Sequence, residues 1–157
     1  MSDLDFYAHV ATRGDVLGTG IGSGPDAWDA ALGRDRIDDW GRGRLRLDYG
    51  LVELSFSRVE GSVTCFGIGV QVHRLTHGLA VPDSLTSVYG EFAPRVPFEE
   101  LRTAISSLGF AVEPEDLSGD VHRHRVAGSR VRIDVVADPC AYQRAGDVWS
   151  LHVSAAG

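Results

Sequence analysis

The stretch from Arg44 to Leu75, RLRLDYGLVELSFSRVEGSVTCFGIGVQVHRL, restricts the fold of this chain more than any other. Apolar residues alternate with polar ones in three runs, broken at Tyr49-Gly50 and at Glu60-Gly61. Alternation with a period of two, interrupted by turn residues, is the pattern of a three-stranded antiparallel meander. Side chains alternate across a strand, so Leu45, Leu47, Val52, Leu54, Phe56, Val70 and Val72 share one buried face. The opposite face carries Arg44, Arg46, Asp48, Glu53, Ser55, Ser57, Gln71 and His73. A sheet with one apolar and one polar face needs a covering layer on one side only.

Helices supply that layer. Pro25, an acid at Asp26 and Gly33 after the last apolar residue bracket a helix over Pro25 to Leu32. Pro97 opens a second helix, in which Phe98, Leu101, Ile105 and Leu108 recur at helical spacing, with Glu99 and Glu100 in the first turn and Gly109 at the end. Residues 2–12 fit a short helix capped by Ser2 or an edge strand through Phe6, Ala8 and Val10, and the strand is the expectation adopted. Arg34 to Gly43 reads as a polar loop whose Trp40 tucks over the sheet edge. Thr76 to Pro97 reads as a connection with three prolines and a short element near Leu85 to Tyr89. Phe110 to Val112 is a short strand, Pro114 to Gly119 a loop, and Val121 to Val126, Arg130 to Val136 and Val148 to Ser154 are strands, with breaks at Gly128 and in ADPCAYQRAGD.

Helix, loop and meander thus occur twice. Gly50 corresponds to Gly128, Val52-Leu54-Phe56 to Val131-Ile133-Val135, and Val70-Val72 to Trp149-Leu151, all offset by nearly the same spacing. Near-constant spacing points to a duplicated unit. The expected fold is α+β: a single domain over residues 1–157, in which one half (13–75) and another (97–157), joined by the connection 76–96, are similar helix-plus-antiparallel-meander units. The two form one sheet with helices on one face.

Charge narrows the function classes. Fifteen basic residues, all arginine, stand against 22 acidic ones, a formal charge of −7. That sign repels a phosphate backbone, so nucleic acid is not expected as a partner and a basic protein is. No run approaches the roughly 18 apolar residues of a membrane span, so no membrane partner is expected either. The N-terminal MSDLDFYAHVATRG lacks the apolar core of a secretory signal, which with only two cysteines and no CxxC spacing leads to the expectation of cytoplasmic residence with buried, free thiols, a single Cys65–Cys140 disulfide being the alternative.

Each candidate for chemistry has a structural alternative. The segment Gly18-Thr19-Gly20-Ile21-Gly22-Ser23-Gly24 before a helix suggests an anion cradle. The chain has no lysine for a Walker motif and no parallel βαβ pattern for a dinucleotide fingerprint, so a flexible loop is expected. His122 and His124, two apart on a strand, point to one side, and Asp134 or His152 could complete a metal site if the register allowed. A polar sheet face is the simpler reading. His73 with Asp48 or Glu53 could form an acid/base couple, but no nucleophile signature accompanies it. No catalytic residue, metal site or cofactor is therefore expected.

Two resemblances add to this reading. A tandem pair of helix-plus-meander units resembles the beta-lactamase-inhibitor protein fold, which implies a continuous curved sheet gripping a protein through its uncovered face. The segments LGRD (Leu32 to Asp35), RLRLDYGLVELSF (Arg44 to Phe56), QVHRL (Gln71 to Leu75) and VWSLHV (Val148 to Val153) resemble small actinobacterial immunity proteins of polymorphic-toxin loci. This implies a non-catalytic inhibitor whose partner is a cognate protein toxin. The secreted inhibitors' cysteines are missing here, so their target is not carried over. The expected partner-binding residues are Arg46, Asp48, Glu53, Gln71 and His73 on the polar face, with Trp40, Tyr49 and Tyr89 as aromatic anchors. The alternative is a small enzyme or ligand-binding domain using a cleft near the glycine-rich loop.

Overall fold

The computed structural model describes residues 1–155, and of residues 116–118 the backbone alone. The fold is α+β: a large antiparallel sheet of eight strands, a two-stranded hairpin, and helices packed on one face of the large sheet. In chain order the helices are α1 (Asp3–Arg13), α2 (Pro25–Leu32), α3 (Asp83–Tyr89) and α4 (Phe98–Ser107), with a 3-10 helix at Val72–His77. The hairpin strands are β1 (Asp15–Val16) and β2 (Thr19–Gly20). The first half then supplies β3 (Ile37–Gly41), β4 (Arg44–Asp48), β5 (Val52–Val59) and β6 (Ser62–Val70). The second supplies β7 (Val112–Ser118), β8 (Val121–Val126), β9 (Val131–Val136) and β10 (Val148–Ser154).

The spatial order is β3-β4-β5-β6-β10-β9-β8-β7, so each half is one four-stranded meander preceded by a helix. The halves join where β10 lies antiparallel to β6, with Leu151 opposite Val70 and Val153 opposite Ile68. Directly opposed residues of an antiparallel pair share a face. Leu45, Leu47, Val52, Leu54, Phe56, Val70, Val131, Ile133, Leu151 and Val153 therefore form one apolar surface, and all are buried. Phe6, Trp28, Leu85, Leu101 and Ile105 from the four helices close over it as one continuous core.

Four local expectations are corrected. The segment over residues 2–12 is instead the helix Asp3–Arg13: Ser2, its N-cap, and Asp5 form a reciprocal capping box, and Gly14 ends the helix in the left-handed region, where a residue without a Cβ carries no steric cost. Phe6, Tyr7, Val10 and Ala11 then face the core, a spacing of four and one that a strand could not bury together. Residues 37–41 are not loop but an edge strand with five ladder pairs to β4. The third run of the meander stops at Val70, and Gln71 caps a 3-10 helix, so Gln71 and His73 are not strand residues. Finally, β7 extends through Pro114, which a central strand would exclude but an edge strand tolerates because its missing N–H faces outward.

The glycine-rich segment is also ordered by its neighbours. Leu17 and Gly18, both at positive φ, turn the β1–β2 hairpin, the geometry a two-residue primed turn requires. Beyond it, the Gly22 N–H donates to the Cys65 carbonyl at 2.8 Å, and the Cys65 N–H donates to the Ser23 carbonyl at 2.9 Å. Among the described residues, no helix is long and apolar enough to cross a membrane.

Candidate functional site: the uncovered sheet face

The eight-stranded sheet leaves its second face without a helical cover, and register determines what stands there. In the first half, Arg46 opposes Asp39 and Ser55, and Asp48 opposes Glu53. On β6 the corresponding positions are Gly67 and Gly69, opposite Ser55 and Glu53 on one side and Ser154 and His152 on the other. In the second half Arg132 opposes His152 and Arg125, and Asp134 opposes Ser150 and Arg123. A low central strip of glycine and serine thus separates two flanks of charged side chains.

The first flank is a chain of ion pairs. Arg46 meets Asp39 at 3.2 Å and Glu53 at 3.6 Å, and Arg74 donates to Glu53 at 2.6 Å and to Asp48 at 2.9 Å. Arg74 also donates to the Gly50 carbonyl at 2.9 Å. It comes from the 3-10 helix, which turns the chain back across the end of the sheet. No periodicity in QVHRL marks it, so it escaped the sequence reading. The Gln71 amide lies over Gly69, where a side chain would collide with it. Arg46, Asp48, Glu53 and Gln71 are therefore brought together as expected, with Arg74 as the residue that links Asp48 to Glu53.

The other expected members fall elsewhere. His73 stacks flat on Trp149, ring centroids 4.1 Å apart and 3° from parallel, with its Nδ1 3.2 Å from the Trp149 carbonyl. Burial holds its pKa below the ordinary histidine value. Asp48 and Glu53 are engaged by arginine, so the imagined acid/base couple with His73 is not assembled. Tyr49 is a core residue, and its hydroxyl donates to Asp29 Oδ1 at 2.7 Å. Arg36 grips the same carboxylate through Nε at 2.8 Å and Nη2 at 3.0 Å. The Arg36 hydrogen bond, before any other influence, holds the Asp29 carboxyl below its ordinary pKa. Tyr89 is likewise buried, edge-on to Phe6 at 5.3 Å. Trp40 is 55% exposed but opposes Leu45, which places it on the helix-bearing side of the edge strand, with the Arg58 guanidinium 5.9 Å from its ring centroid. It does not tuck over the edge.

The second flank repeats the ion-pair design with different residues. Arg123 donates to Asp134 at 2.9 Å, Arg132 to Glu115 at 2.8 Å and Arg125 to Glu113 at 2.9 Å. His152 lies 2.9 Å from the Ser150 hydroxyl and 3.8 Å from Asp134, and burial lowers its pKa. The suggested metal set cannot form on this register. His122 and His124 oppose Val135 and Ile133 on the helix-bearing face, whereas Asp134 and His152 stand on the uncovered one. Among the described residues no group of three or more histidine, cysteine or acidic side chains is placed to hold a metal ion.

Two depressions adjoin these features. One of about 330 Å³ on the uncovered face is bordered by Asp39, Arg44, Arg46, Ser55 and Phe66, with the Arg44 guanidinium 5.4 Å from the Phe66 ring centroid. The other, of about 450 Å³, lies beside the β1–β2 hairpin between Arg13 and Arg130. Both thiols are free. Burial first of all raises the Cys65 pKa to about 11, which suppresses its thiolate, while Cys140 is exposed rather than buried. Compared with known proteins, the chain matches no family model, no curated protein and no solved structure.

Proposed function

We propose that this protein is a non-catalytic inhibitor of the immunity type, which neutralises a cognate protein toxin in the cytoplasm by docking it on the uncovered sheet face. The observation that carries this reading is the face itself: a continuous surface across both halves, paved with arginine, carboxylate and histidine side chains held in place by one another. Preorganised side chains lose little conformational freedom on binding, and arginine is among the residues that dominate interface energetics. On this reading the repeated helix-plus-meander order reflects a duplicated unit, which widens the docking surface without a new fold.

The charge argument takes a specific form. Asp39, Asp48, Glu53, Asp134, Glu113 and Glu115 each meet an arginine, so the face is locally balanced and not a bare acidic patch. The net charge of −7 then acts at long range, accelerating encounter with a basic toxin, while the ion pairs set register at contact. Co-expression with the product of the adjacent gene, followed by purification on a tag carried by only one of them, tests the reading. A stable complex weakened at least about five-fold by Arg46→Glu or Asp39→Arg supports it. Full affinity in folded variants of Asp39, Arg46, Gln71 and Arg132 sinks it.

One observation favours a second reading. Arg13 and Arg130, neither in an ion pair among the described residues, border the depression beside the glycine-rich hairpin, where a small anionic ligand would be held. Saturable binding of phosphate or a carboxylic acid, lost in Arg130→Ala, would favour it.

A further inference from the structure

The two edges of the large sheet are built differently. An edge strand exposes unpaired N–H and C=O groups and invites another strand, so natural sheets blunt their edges with proline, bulges and inward charge. Strand β7 has these protections: Pro114 removes a donor, the ladder shifts between Pro114 and Asp116, and Glu113, Pro114, Glu115 and Asp116 run consecutively. Strand β3 has none. It makes five successive pairs with β4 without a bulge, contains no proline and is exposed at every residue. It also shows solvent an apolar side chain on each face, Ile37 at 72% and Trp40 at 55% exposure.

We propose that β3 is a self-association edge, and that its occupant is β3 of a second copy of this chain, joined antiparallel to make one continuous sheet from two molecules. A two-fold axis normal to the sheet keeps both helical layers on one side, and such an axis passes through a single residue of β3. An axis through Asp38 or Asp39 sets that carboxylate against its own copy. An axis through Trp40 sets indole against indole, Asp39 against Gly41, and Asp38 against Arg42 of the second copy, twice by symmetry. Arg42 makes no ion pair among the described residues, and Asp38 has only Arg36 at 4.0 Å, so both are available. Backbone groups are free for such pairing. The pair that closes the two-residue β3–β4 hairpin, Gly41 and Arg44, is hydrogen-bonded, so by alternation the N–H and C=O of Asp38 and Trp40 point outward, towards the second copy.

Sedimentation velocity of the full chain over a wide concentration range tests this. The wild type is expected to dimerise, and Trp40→Lys to be monomeric, with a thermal melt that matches the wild type's at concentrations where the wild type is itself monomeric. The register is read by charge exchange: Asp38→Arg and Arg42→Asp each weaken the dimer about ten-fold, and the double variant restores it. A wild type that stays monomeric at every concentration overturns the proposal, as does a double variant no tighter than the single ones. A monomeric chain that loses a co-purifying protein on Trp40→Lys overturns it too, assigning the edge to that protein's strand instead.

Discussion

Tyr49 shows how a residue's environment reassigns its role. Its position at a strand end beside polar neighbours suggests a surface anchor, yet its hydroxyl shares Asp29 with Arg36 beneath the sheet. Tyr49→Phe is expected to cost about 1–3 kcal/mol, because it leaves a buried carboxylate one donor short, and to leave partner binding unchanged. Urea denaturation together with a binding assay separates the two effects. Histidine titration gives a second residue-scale prediction. His73, His124 and His152 all have pKa values lowered chiefly by burial. Groups with depressed folded pKa contribute stability that is complete above the ordinary value of 6.5 and is lost as pH falls through the folded value. The urea midpoint should therefore fall between pH 7.5 and pH 5. His124 stacks on Phe98 at 4.4 Å with its Nδ1 buried and without a hydrogen-bond partner among the described residues, so His124→Phe should flatten that fall.

Among the elements, the β4–β5 turn is the most constrained. Gly50 sits at φ +96, and a Cβ there would run into the Ala80 carbonyl of the connection between the halves. Gly50→Ala should destabilise by more than about 2 kcal/mol, since left-handed strain and a backbone clash act together, and thermal unfolding measures it. Glu53 behaves similarly for an electrostatic reason. It stands between Arg46 and Arg74, so Glu53→Arg would crowd three guanidinium groups and weaken the fold itself. Arg46 and Asp39 at the outer end of that chain are the cleaner probes. Elements with a strong local signature were legible from sequence: α2 and α4 by proline, acid and glycine, and β4, β5 and β6 by alternation. Strand β3 and the extension of β7 were not. IDDWG and VEPEDLS have no apolar face of their own, and each is a strand only because a neighbour offers a ladder.

At the scale of the whole molecule, the β6–β10 seam decides what the protein presents. It fuses two meanders into one sheet, aligns the two polar faces and places Gly67 and Gly69 between them. Gly67→Val is expected to leave the helix-side core intact and to reduce affinity for a co-purifying partner by at least about ten-fold, by raising the low strip at the centre of the face. Near-ultraviolet circular dichroism checks the fold and calorimetry the affinity. Unchanged affinity in the folded variant would remove the strip from the contact surface.

Composition and period by themselves determined the α+β class, the apolar face of each meander, the positions of α2 and α4 and the negative overall charge. These follow from local physics, because alternation, capping and charge count are properties of neighbours in the chain. Tertiary structure alone decided that Arg74 would lock Asp48 to Glu53, that Tyr49 and Tyr89 would be buried, that His122 and His124 would face away from Asp134, and that β3 would end the sheet unprotected. Each depends on which residues far apart in the chain meet, and that is set by strand order and register, which no single segment encodes.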